Sequence, residues 1–140
     1  MQNNLGLVLL RQGRRDEAIA LFEEGLTMAV SRGGETSRYA LPVRGNLAEA
    51  YVNAGRIAEA QPLAETAVRI ATSTYGEDSP FTAAALRAHA AVRIAQGRAE
   101  EARTDLARAE AAFARLGKGG ELQRATLVPL RARLAALPPH

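Results

Sequence analysis

Apolar residues recur along this chain at spacings of three and four, the period of a helix with one buried face, and the clearest stretch is Leu47, Ala50, Tyr51 and Ala54. That stripe stops at Gly55, where a residue without Cβ can take the left-handed conformation that closes a helix end. A second stripe follows at once through Ile57, Ala60, Leu63, Ala64, Ala67, Val68 and Ala71. An acid, Glu59, sits in its first turn, where the amino-terminal end of the helix dipole favours negative charge. Gly76 ends this helix, and Ser79-Pro80 open the next as N-cap and first helical residue. The same logic predicts helices near 2–12, 15–31, 37–54, 57–75, 80–96 and 99–116, ended by Gly117, Gly119 and Gly120, with a last helix over about 121–137. Pro129 is expected to kink or divide that last helix, and Pro42 to delay the regular part of the third.

The order Gly-Arg-x-x-acid-Ala occurs three times, at Gly13–Ala18, Gly55–Ala60 and Gly97–Ala102, each copy 42 residues from the next. Upstream, Asn4-Leu5-Gly6 aligns with Asn46-Leu47-Ala48 and Leu9 with Tyr51; downstream, Phe22 aligns with Ala64 and Leu106. Such a period implies stacked supersecondary units. The expectation is one all-α domain over 1–140, a right-handed α-solenoid of three helix-turn-helix repeats, about 1–35, 36–78 and 79–117. The last helix then caps the exposed apolar face of the third unit. Ala18, Ala60 and Ala102 mark where paired helices are expected to approach most closely.

The run from Asn46 to Arg56, continuing through Glu59-Ala60-Gln61-Pro62-Leu63 to Tyr75-Gly76-Glu77-Asp78-Ser79-Pro80, resembles the tetratricopeptide repeat in its 42-residue form, seen in kinesin light chains and many bacterial signalling proteins. The resemblance covers all but the final helix, strongly in the second unit and weakly in the third. There His89 and Arg93 stand where the pattern wants Leu and Tyr or Leu, and Glu110 stands where Leu26 and Val68 did. The first unit lacks the several residues that precede Arg44 in the second. From this the chain is expected to be the carboxy-terminal piece of a longer protein, or to have an unusually short first helix.

Composition narrows the function classes. Seventeen Arg and one Lys face 15 acids for a net charge of +3, and the signs are mixed within four positions of each other, as on a solvated helix surface. Nucleic-acid binding would want a one-signed stripe with stacking aromatics, so no nucleic acid is expected as partner. Without a membrane-length apolar run or a secretory order at the amino terminus, the chain is expected to be cytoplasmic, with no membrane partner. There is no Cys, one of the two His is the last residue, and the acid pairs Asp16-Glu17, Glu23-Glu24 and Glu100-Glu101 are sequence neighbours whose side chains diverge by about 100° on a helix. No catalytic residue, metal site or cofactor is therefore expected, and His89 is read as a packing residue between helices.

The first helix of each pair lines the inner surface of such a solenoid. Positions turned away from the intra-repeat stripe are Asn3, Asn4, Leu7 and Arg11, then Gly45, Asn46, Glu49 and Asn53, then Arg87, Ala91 and Ala95, and Arg133 in the last helix. The resemblance implies that Asn4 and Asn46 hydrogen-bond the backbone of an extended peptide; Ala88 interrupts that ladder, and Asn46 has the alternative of bonding within its own repeat. Arg11, Arg87 and Arg133 are candidates to select a carboxylate-bearing ligand by forked hydrogen bonds. The expected binding set is thus Asn4, Leu7, Arg11, Asn46, Glu49, Asn53, Arg87 and Arg133, in a non-enzymatic module that binds a peptide or partner protein through its concave face. A self-association or spacer segment of a larger bacterial signalling protein, such as a kinase or regulator, is the alternative, with a homo-oligomer as its consequence.

Overall fold

Helices pair in chain order: α1 (Gln2–Arg11) with α2 (Arg15–Gly33), α3 (Ala40–Asn53) with α4 (Ile57–Tyr75), and α5 (Pro80–Ala95) with α6 (Ala99–Ala114). The computed structural model describes residues 2–138, the side chains at 2–4, 118 and 122 excepted. The described residues are all helix, turn and loop, and the three hairpins stack as a solenoid. Predicted and observed ends differ by no more than three residues, because the signals that set them are local.

The repeated Gly-Arg dipeptide has a double use. Gly13, Gly55 and Gly97 adopt φ of 78°, 78° and 74°, the left-handed region, with open space around each. Their N–H groups return to Leu10, Val52 and Ile94, and those of the following arginines to Leu9, Tyr51 and Arg93, which satisfies the last carbonyls of each first helix. Each arginine then clamps the glutamate three residues on: Arg14 to Glu17 at 2.8 and 2.5 Å, Arg56 to Glu59 at 2.7 Å twice, Arg98 to Glu101 at 2.8 Å. The side chain thereby holds an acid in the first turn of the second helix, where the dipole favours it. Arg56 keeps Glu59 below the usual carboxylate range through this hydrogen-bonded contact.

Ala18, Ala60 and Ala102 are fully buried, as small residues must be where two helix backbones converge. One apolar cluster joins the first two hairpins through Phe22, Leu47, Tyr51 and Ala64 and reaches Val92 of the third. A second joins Leu86, Leu106 and Phe113 to Leu127, Leu130 and Leu134 of the carboxy-terminal segment, which therefore caps the third hairpin. Between hairpins two and three, Tyr75 stacks on Phe81 with centroids 4.6 Å apart, and the Tyr75 hydroxyl donates to the Thr36 carbonyl at 2.8 Å. Ser79 caps α5, its Oγ accepting from the Thr82 N–H at 3.0 Å, with Pro80 in the first helical position.

The cap departs from a single helix over 121–137. After a 3₁₀ turn at Gly117–Gly120 it is split into α7 (Glu121–Ala125) and α8 (Val128–Ala135). Pro129 is the cause: it has no N–H to donate to Ala125, and it is tolerated in the first turn of a new helix. Glu110, the misfit of the third unit, becomes intelligible here, because it accepts hydrogen bonds from Arg124 at 3.2 Å and from Arg131. A carboxylate replaces Leu26 and Val68 where an arginine-bearing cap, rather than another hairpin, is the neighbour.

Candidate functional site

Because α3 packs directly on α5 as well as on its own partner, the first helices of the hairpins form a continuous inner layer. That layer encloses a cavity of about 500 Å³, within the roughly 300–1,000 Å³ of pockets that hold small ligands. Its walls come from all units. Leu7 of α1 forms one edge; Leu41, Pro42, Gly45 and Asn46 of α3 form the next; Pro80, Phe81, Ala84 and Arg87 of α5 face them, and Gln123 of α7 closes the end.

Arg87 is the single charged side chain among the described residues of this wall, and three of its five N–H groups are engaged. Its Nε and Nη2 donate to Glu49 Oε2 at 3.2 and 2.9 Å, and its Nη1 donates to Thr126 Oγ1 at 3.2 Å. Both partners of the ion pair are largely buried, with 21% and 24% of their side chains exposed. At that burial the pair is better insulated from screening than a surface pair, and it ties the second hairpin to the third and to the cap. Asn46 is half-buried on the wall and is itself engaged in an interaction.

Of the eight residues singled out from the sequence, the fold brings Leu7, Asn46 and Arg87 to the cavity, and Glu49 joins them through Arg87. Arg11 and Asn53, the last residues of α1 and α3, are exposed and off this wall, as is Arg133 on α8. The side chains of Asn3 and Asn4 lie outside the described residues. Of the other positions expected to face the groove, Gly45 is buried yet lines the cavity, whereas Ala91 is buried off it. Gly45 lies where α3 meets α5, a Cβ there standing 3.8 Å from that of Ala88. Ala91 is packed in the cluster that the cap completes. Pattern reading missed Leu41, Pro42, Pro80, Phe81, Ala84 and Gln123. Extending the inner stripe one turn toward the amino terminus would have reached Pro42 and its register mate Ala84; nothing local marks Gln123.

No group of three or more His, Asp or Glu side chains able to hold a metal occurs among the described residues. Among the same residues no helix is long and apolar enough to cross a membrane.

The tetratricopeptide repeat family matches residues 39–115, and a second form of the same repeat matches residues 1–31. No curated protein matches the sequence. Among solved structures, the crystal structure of BtubC (BKLC) from P. vanneervenii is similar to 99% of this chain, with a TM-score of 0.68 and 20% identity. The chain spans 65% of that protein's length, and at such identity the likeness is one of fold. The chain belongs to the tetratricopeptide repeat family. Repeats of this family generally mediate protein–protein interaction and are a non-enzymatic module.

Proposed function

We propose that this tetratricopeptide-repeat chain is a non-enzymatic docking module that receives a peptide, or an extended segment of a partner protein, in the concave cavity between α1, α3, α5 and α7. The observation that supports it is the cavity itself: it is walled by the first helix of every hairpin, it is large enough for several side chains, and its one cation is held in place rather than swinging in solvent. In this reading the chain acts in the cytoplasm with neither nucleic acid nor a membrane as partner, and arginines such as Arg14, Arg56 and Arg103 pair with acids three residues away rather than forming a one-signed stripe. Selecting random hexapeptides on phage against the chain, then following amide shifts with a selected peptide, tests this. Shifts at Gly45, Asn46 and Ala84 that vanish in Ala84→Arg are expected; shifts confined to the outer helices α2, α4 and α6 would refute it.

A second function has one observation in its favour. Leu5 and Val8 on α1 are 51% and 44% exposed, although their register mates Leu47 and Ala50 are buried. Self-association through that face, within a bacterial signalling protein such as a kinase or regulator, predicts a concentration-dependent sedimentation coefficient that Leu5→Lys removes.

A further inference from the structure

Arginine in a binding groove ordinarily points to an acidic guest, because the guanidinium fork matches a carboxylate. Here the charge is already paired with Glu49, and three of the five N–H groups of the fork are bonded. Glu49 takes two of the Arg87 donors and Thr126 a third, and Thr126 is itself fixed by donating to the Gln123 carbonyl at 2.5 Å. Among the described residues the remaining wall is uncharged: Leu7, Leu41, Pro42, Phe81 and Ala84 supply apolar surface, and Asn46 and Gln123 carry amides.

We propose that the groove selects a neutral peptide segment with an apolar side chain at its centre, and that Glu49 is the specificity-determining residue, neutralising Arg87 so that acidic segments are turned away. This rests on the groove being the docking site. The physics is charge complementarity in a partly dehydrated setting. An incoming carboxylate meets the like charge of Glu49 beside Arg87 and loses water against Pro42 and Phe81 without gaining an unshared cation. An apolar side chain gains by leaving water and leaves the Arg87–Glu49 pair intact. The amide of Gln123 has the mixed donor and acceptor character that suits a peptide backbone. Turning away the wrong guest by a like charge is a common route to specificity.

The test uses three capped tripeptides that differ only in the middle residue: acetyl-Gly-Leu-Gly-amide, acetyl-Gly-Phe-Gly-amide and acetyl-Gly-Asp-Gly-amide. Each is titrated into the whole chain and into Glu49→Gln while the amides of Gly45, Asn46 and Ala84 are followed. The carboxamide oxygen that Glu49→Gln introduces can still accept a bond from Arg87, so the variant keeps its fold, which its amide spectrum verifies. The Leu and Phe probes are expected to bind the parent about 10-fold more tightly than the Asp probe, a difference worth about 1.4 kcal/mol. In Glu49→Gln the Asp probe is expected to gain about 5-fold or more, with the Leu and Phe probes changed less than 2-fold. If the Asp probe shifts the groove amides of the parent as readily as the Leu probe, or if Glu49→Gln leaves the ranking untouched, the selectivity is wrong while the groove stands. If none of the probes shifts those amides, both fall.

Discussion

In the second hairpin Leu47 of α3 and Leu63 of α4 join one apolar cluster, whereas their register mates in the third, His89 and Asp105, meet as a polar pair with Nδ1 2.6 Å from Oδ2. One helical turn on, Tyr51 lies under the Arg56 guanidinium at 4.5 Å and donates its hydroxyl to Glu23 of the preceding hairpin at 2.8 Å. Its mate Arg93 instead shares Glu101 with Arg98, at ion-pair distances of 3.2 and 2.6 Å. The backbone turns of the two hairpins are nonetheless alike, down to the hydrogen bonds of Arg56 and Arg98 to the chain five residues back. A repeat thus tolerates exchange of an apolar contact for a polar one, provided both members change together. Such a pair adds no stability by itself over an apolar pair of the same shape.

The sharpest break of that comparison is His89→Leu. It strands Asp105, which is 5% exposed, as an unpaired buried carboxylate, with an expected loss of about 3–5 kcal/mol in denaturant unfolding. The double variant His89→Leu with Asp105→Leu rebuilds the pair of the second hairpin and is expected to return to within about 1 kcal/mol of the parent, or above it. Simple additivity of the two single changes would show that the residues do not act as a pair.

Next in size is Tyr51, for which the third hairpin has no counterpart. Replacing it with Phe removes the bond to Glu23 and is expected to cost about 1.5 kcal/mol. Burial first, and then the hydrogen bond to Glu23, push its phenol up to about 12 from an unfolded value of 10.0. The folded state therefore favours the neutral form, so this stabilisation is complete below pH 10 and is lost as pH rises toward 12. Unfolding curves between pH 9 and 12 should fall more steeply for the parent than for Tyr51→Phe. Parallel curves would mean that the hydroxyl is not held as described.

The smallest difference separates two exposed glutamates. Glu59→Gln releases one arginine, and Glu101→Gln releases two that are neighbours. The first is expected to leave the urea midpoint nearly unchanged, and the second to lower it by a loss of about 1 kcal/mol. High salt should narrow the gap.

Hairpin boundaries were legible because their causes lie within a few residues. Gly55 can take φ of 78°, Ser79 can cap three residues ahead, and Ala60 leaves room for a helix beside it. Four of the ten residues that line the candidate groove were legible for the same reason, since Leu7, Gly45, Asn46 and Arg87 follow from helical period alone. What Arg87 does there was not. Its partners Glu49 and Thr126 are 38 and 39 residues away, and only the stacking of α3, α5 and the cap brings them within reach. The burial of Gly45 and Ala91, and the two arginines gathered by Glu110, were decided in the same way. Amino-acid order by itself determined a periodic helical chain with hinges at three glycines, because conformational preference and hydrophobic period are local. Tertiary packing alone decided which charges quench one another and what the inner wall offers a guest, because those depend on distances between helices that no local pattern records.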